Sequence, residues 1–194
     1  MGFLFRTSDS TFYAAPRFVT HIDDPAIAEL TKYYSKVLPQ SETPGVSIVD
    51  MCSSWVLTEY IVQDLNVNPK LPFEDNSFQV ITNVVRVDYL TKPLVVFKEM
   101  NRILKPGALV VMSFSNHCFF TKAISIWTST GDADHALIVG SYFHYAGGFE
   151  TPQMCIYIHV FINTPCIHKN KKELKDILSL TNNDAKTNVS YQCL

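Results

Sequence analysis

Strand-like and helix-like segments alternate along most of this chain, which predicts an α/β fold: a mostly parallel sheet with flanking helices. Two further observations agree. The strand candidates are short and rich in Val and Ile, as strands buried on both faces are. The 194 residues are 47% hydrophobic and 18% charged, enough apolar material for one core and too much for a disordered chain. A formal net charge of −2 gives no general attraction to phosphate backbones, so nucleic acid is not an expected partner. No apolar run approaches the roughly 18 residues of a membrane helix, so no membrane span is expected. The 5 cysteines are scattered and form no CxxC pair, and no signal peptide precedes them. Reduced thiols in an intracellular, by default cytoplasmic, chain are the reading, with organelle import also compatible.

Residues 1–20 lack periodicity and read as an N-terminal arm packing through aromatics such as Phe12 and Tyr13. A helix follows, with Asp24 as N-cap, Pro25 at its first position, and Ile27, Leu30, Tyr34, Val37 and Leu38 along one face. Pro39 stops it, and Pro44-Gly45 turn the chain into VSIVD at residues 46–50, a buried strand ending in Asp50. EYIVQDL, residues 59–65, is a second strand with Asp64 near its end. LPFEDNSF, residues 71–78, is a polar turn, and QVITNVV, residues 79–85, a third strand. Thr91 and Pro93 open a helix that turns Leu94, Phe97, Met100, Ile103 and Leu104 inward. Lys105-Pro106-Gly107 ends it before ALVVMSF, residues 108–114, an apolar central strand.

Beyond that strand the signals are weaker. Residues 121–130 read as a helix carrying Trp127, residues 138–145 as a strand, and residues 154–162 as one more strand. Residues 166–194 form a Lys/Asn-rich tail, partly disordered: one short helix through Leu174, Ile177, Leu178 and Leu180, and disorder after about Thr181. The expected organisation is thus an arm (1–20), one domain (21–165) and a tail (166–194).

The stretch LPFEDNSFQVITNVVRVDYLTKPLVVFKEMNRILKPGALVVMSF, residues 71–114, resembles the class I S-adenosylmethionine-dependent methyltransferases, in particular the methyltransferase type 11 group. Those proteins show LPF, a short acidic turn, SFDxV, a strand, a helix, R-x-LKPGG and another strand, in this order. VSIVDMCSS, residues 46–54, stands where they have the first strand and cofactor loop, and EYIVQDL where they have the adenine-binding strand. The resemblance implies a Rossmann-like methyltransferase sheet and S-adenosylmethionine as cofactor. It implies that Asp50, Met51, Cys52 and Ser53 line the methionine side of that cofactor, that Asp64 and Leu65 meet the adenine, and that Asn83 lies beside the transferred methyl. His117, just after the fourth strand, is a candidate base, set against the plainer reading of a solvated loop histidine.

The chain departs from that family in three places. The loop Met51-Cys52-Ser53-Ser54-Trp55 lacks the family's glycines. Gln79 replaces the Asp of SFDxV, and Ala108 the second Gly of KPGG. Only nine residues, 51–59, separate Asp50 from the strand at Tyr60, where a parallel crossover needs about 10–12 including its helix. The family's second strand, whose closing acid binds the ribose, has no counterpart there, so the implied sheet is incomplete and the chain reads as a shortened relative. Two functions are therefore expected: methyl transfer to an unidentified, small-molecule acceptor, or a catalytically inactive truncated protein acting through a protein partner. Cys155, His159, Cys166 and His168 fit no zinc spacing, so no metal is expected. Tyr142, Phe143, Tyr145 and Phe149 read as core, with a substrate pocket as the other reading.

Overall fold

The computed structural model describes residues 22–40, 43–51, 59–159, 162–168 and 188–193. The expected arm at 1–20 and the tail helix through Leu174 lie outside the described residues. In chain order the elements are α1 (Asp24–Val37), β1 (Ile48–Met51), β2 (Glu59–Gln63), β3 (Phe78–Val84) and a 3-10 turn η1 (Val87–Tyr89). There follow α2 (Pro93–Ile103), β4 (Leu104–Ser113), α3 (Ser125–Thr128), α4 (Asp132–Ala146), β5 (Gln153–His159), β6 (Ile162–His168) and β7 (Asn188–Cys193). The strands form one sheet in the order β2-β7-β1-β3-β4-β6-β5. It is parallel from β2 to β4 and antiparallel where β6 joins β4 and β5. The fold is the expected α/β one. Among the described residues no helix is long and apolar enough to cross a membrane.

Alternation along β3 and β4 separates two cores. Val80, Leu109 and Val111 face α1, where Ala26, Leu30, Tyr33 and Val37 meet them. Ile81, Val110 and Met112 point the other way, onto Phe97, Met100 and Ile103 of α2 and Val139 and Phe143 of α4. Both strands are therefore buried on two sides, which explains their unbroken apolar runs. The N-cap of α1 is Asp23 rather than Asp24: its carboxylate accepts from the Ala26 N–H at 2.9 Å. Ile27, expected inward, is 39% exposed. Leu94 of α2 likewise turns outward, while Phe97, Met100 and Ile103 are buried as expected.

Three expectations are corrected. Residues 138–145 are not a strand but part of α4. Ala136, Val139 and Phe143 are buried at helical spacing, and exposed Leu137 and Tyr145 made the run look continuously apolar. Residues 154–162 are not one strand but the body of a hairpin, with His159 and Ile162 as Cα partners across its end. The usual Gly or Asn turn signal is missing there, and Pro165 argued against a following strand. Pro165 lies just outside the stretch of β6 that pairs with β4, which begins at Cys166. Finally, residues 188–193, expected to be disordered, form β7 in the interior of the sheet. Its Val189 is the partner of Val49 on one side and Glu59 on the other. The slot that the missing second strand would leave between β1 and β2 is thus filled by the tail.

The aromatics after residue 141 pack as core. Phe97 meets Phe143 edge-to-face at 4.9 Å and Tyr142 at 5.5 Å, and Phe143 meets Phe149 at 5.0 Å. Tyr145 stays outside, 69% exposed.

Candidate functional site

Parallel strands bring their carboxyl ends to one edge of the sheet, where open α/β folds bind ligands. Asp50 and Met51 end β1 and stand opposite Thr82 and Asn83 of β3. The Thr82 hydroxyl donates to Asp50 Oδ1 at 2.7 Å, which fixes the half-buried carboxylate at the strand end. Asn83 is buried, 1% exposed, and on its other side stands opposite Met112 of β4. Asp50, Met51 and Asn83 are therefore brought together. Met51 is itself a core residue.

Asp64 follows β2, which lies beyond β7, so it stands about 10 Å from β1 across two strand spacings. Its carboxylate accepts from the Asn66 N–H at 2.8 Å, and its carbonyl accepts from Asn68 N–H at 2.8 Å. This Asx turn closes β2 and leaves Asp64 half-buried at the edge. Leu65 beside it is 1% exposed and part of the core. Cys52 and Ser53 lie outside the described residues. His117 is exposed in the loop after β4, its N–H donating to Ser115 Oγ at 3.2 Å. Among the residues whose side chains are described, no group of three or more His, Cys, Asp or Glu could hold a metal ion.

A second cluster sits on the same edge, and sequence reasoning missed it. β3 leaves the sheet through Val85, whose φ of 52° is a left-handed conformation that a β-branched residue rarely adopts. Three residues later Asp88, on η1, is 2% exposed, with neither carboxylate oxygen engaged by a donor in bonding geometry. Burial raises its pKa to about 7, against weaker opposing effects of its own backbone N–H, Arg86 and the Tyr89 hydroxyl. The loop after β4 closes over it. The Ile124 N–H donates to the Asp88 carbonyl at 2.9 Å, and the Phe119 N–H donates to the Tyr89 hydroxyl oxygen at 3.0 Å. Burial, and then the charge of Asp88, push the half-buried free thiol of Cys118 up. The sequence carries little signal for it: Asp88 stands in VVRVDYL, residues 84–90, two residues after Arg86, where a solvated acid would look the same.

The motif residues behind this edge are structural. Arg102 of α2 donates from Nη2 to the Leu71 carbonyl at 2.9 Å and from Nη1 to the Phe73 carbonyl at 2.8 Å. It also pairs with Glu99 at 2.8 Å and Asp75 at 2.7 Å. Glu99 Oε2 accepts from the Leu71 N–H at 3.0 Å, and the Arg102 hydrogen bonds hold the Glu99 carboxyl below its ordinary range. Gln79 ties the start of β1: its Nε2 donates to the Gly45 carbonyl at 2.7 Å and its Oε1 accepts from the Ser47 N–H at 2.8 Å.

Residues 40–112, a span that includes Asp50, Asp64, Asn83 and Asp88, match the family model described as a methyltransferase domain.

Several known proteins are similar to parts of this chain. A demethylmenaquinone methyltransferase of Staphylococcus aureus strain JH9 is 52% identical over 42 residues, 22% of this chain and 17% of the relative. The match to the same enzyme of strain Newman has the same identity and extent. The chain thus aligns with about a sixth of the length of the curated relatives it matches. The crystal structure of the cyclase SpnF superposes with a TM-score of 0.51 at 11% identity, over 84% of this chain and 91% of that one. A S-adenosylmethionine-dependent methyltransferase of Aquifex aeolicus gives a TM-score of 0.47 at 12% identity, covering 77% of this chain and all of that one. The likeness to SpnF speaks for the fold alone, and a fold does not fix a reaction.

Proposed function

We propose that this chain is an S-adenosylmethionine-dependent methyltransferase-like protein acting on a small-molecule acceptor. The carrying observation is the paired end of β1 and β3 inside the matched span, where Thr82 holds Asp50 beside Asn83. The donor set suits the cofactor: carboxylates at Asp50 and Asp64 accept from amino and hydroxyl groups, and the Asn83 amide can do both. When bound, the cofactor would supply an activated methyl group, so the protein's share is proximity and orientation. Asp50 and Asn83 would orient the methionine end, and Asp64 would accept from the adenine amino group. Cys52 and Ser53 would complete the cofactor contacts, and His117, exposed in the loop after β4, is one candidate base beside the buried Asp88.

A second reading has its own support. β7 occupies the position where the resembling family has the strand whose closing acid binds the ribose. A sheet completed in this way could keep the fold without the affinity, leaving a non-catalytic protein that acts through a partner. Calorimetric titration of the folded, monodisperse chain with S-adenosylhomocysteine decides between the two. Micromolar binding, weakened at least about tenfold by Asp50→Ala, supports the first. A folded chain that takes up no ligand overturns it and leaves the second.

A further inference from the structure

We propose that Asp88 is the proton acceptor of an acceptor-binding seam between η1 and the loop after β4, and that the group it deprotonates is a phenol-type hydroxyl. This rests on the methyltransferase reading above and deepens it by naming the acceptor class.

Four observations converge on the seam. First, it lies on the ligand-binding edge: Asp88 is five residues beyond Asn83, the end residue that faces β1. Second, its carboxylate is almost fully buried and engaged by no donor in bonding geometry, a costly arrangement unless some other group completes it. Third, the backbone that delivers it is strained at Val85, and such strain collects at ligand sites. Fourth, the surroundings are aromatic: buried Tyr89 packs on Phe119 with centroids 6.5 Å apart, and Phe120 beside them is 69% exposed. A flat ring would pack on those side chains once the loop opens, and its hydroxyl would donate to a carboxylate oxygen of Asp88.

The chemistry balances. As the acceptor oxygen bonds to the methyl carbon, the carbon–sulfur bond breaks and its electron pair goes to sulfur. The hydroxyl proton passes to an Asp88 carboxylate oxygen, so a neutral phenol becomes a neutral ether. A carboxyl that titrates near neutrality is matched to that role, and Arg86, Tyr89 and Cys118 are the ionisable groups that act on it or are acted on by it. The loop hydrogen bonds from Phe119 and Ile124 are the ones that must loosen to admit the ring.

The test uses 2-naphthol, whose excited state gives up its proton when a base lies within hydrogen-bonding reach. Emission of 2-naphthol bound to the full chain is recorded from pH 5 to pH 8 for the unaltered protein and for Asp88→Asn. Asp134→Asn, an exposed acid of α4, serves as control. The expected result is a naphtholate band that grows with pH in the unaltered chain and in the control, and falls at least about fivefold in Asp88→Asn. Emission from neutral naphthol alone, an unchanged band in Asp88→Asn, or no saturable binding would each overturn the proposal. S-adenosylhomocysteine is titrated into the same samples. A naphtholate band without nucleoside binding would keep the base site and defeat the methyltransferase reading; nucleoside binding without the band would do the reverse.

Discussion

The Arg102 guanidinium donates to the carbonyl of Leu71, 31 residues earlier, at 2.9 Å. With its bond to the Phe73 carbonyl and its pairs with Glu99 and Asp75, it ties the turn before β3 to the end of α2. The most recognisable residues of the matched span therefore brace the sheet rather than touch a ligand.

Arg102→Ala should destabilise the fold by about 2–4 kcal/mol, because two backbone carbonyls and the Glu99 carboxylate lose a charged donor. Asp75→Ala, which removes a largely exposed partner, should cost under about 1 kcal/mol. Urea unfolding of both variants checks the contrast; equal losses would contradict it.

Gln79 stands where the resembling family carries Asp, and its longer amide makes both bonds to the entry of β1. Gln79→Ala should cost about 1–3 kcal/mol and Gln79→Asp somewhat less, read from the same unfolding midpoints. A neutral Gln79→Ala would mean that the entry holds itself.

Stability should fall as pH rises from about 4 to about 7, in proportion to the titration of Asp88. Below its ordinary value of 3.8 the carboxyl is protonated in both folded and unfolded chains, and it contributes nothing. Between that value and about 7 the unfolded chain ionises while the buried group keeps its proton, so unfolding grows easier. Above about 7 the penalty levels off at up to roughly 4 kcal/mol. Asp88→Asn should therefore unfold at higher denaturant than the unaltered chain at pH 8, with the gap closing toward pH 4. A gap independent of pH would place the effect elsewhere.

Thr82→Val removes the hydroxyl that holds Asp50 and keeps the shape of a nearly buried side chain, 5% exposed. Affinity for S-adenosylhomocysteine should drop about threefold to tenfold while the fold survives, as calorimetry and circular dichroism together would read. Unchanged affinity would mean Asp50 needs no such support.

Val189→Pro should disrupt β7, since proline cannot donate within an interior strand. Amide exchange at Val49 and Asp50 should then accelerate by at least about tenfold relative to β4. Unaltered protection of β1 would show that β7 contributes nothing to its stability.

The parallel core was legible because β3 and β4 are buried on both faces and so carry unbroken apolar runs, and because α1 and α2 each carry a proline in the first turn. Asp50 and Asn83 could be placed near strand ends because a strand end is a local property. α4 was misread because exposed Leu137 and Tyr145 filled the polar face that would have revealed its period. β7 was out of reach for a different reason. Asn188-Val189-Ser190 is a weak strand by propensity, and what places it is the slot between two strands far back in the chain. Asp88 was passed over because nothing in one dimension distinguishes a buried acid from a solvated one.

The position of β7 also has a consequence in time. Ile48 of β1 meets Asn188 of β7, a pairing across 140 residues, so β1 is made long before the strand that flanks it. Until then β1 presents an open edge of backbone donors and acceptors, ready to pair with any extended strand. Synthesis on the ribosome therefore exposes β1 to mispairing while the intervening residues are made, and closure of the sheet waits on slow, long-range contact formation. A chaperone that shields the β1 edge would gain more on this chain than on a relative whose neighbouring strand follows at once.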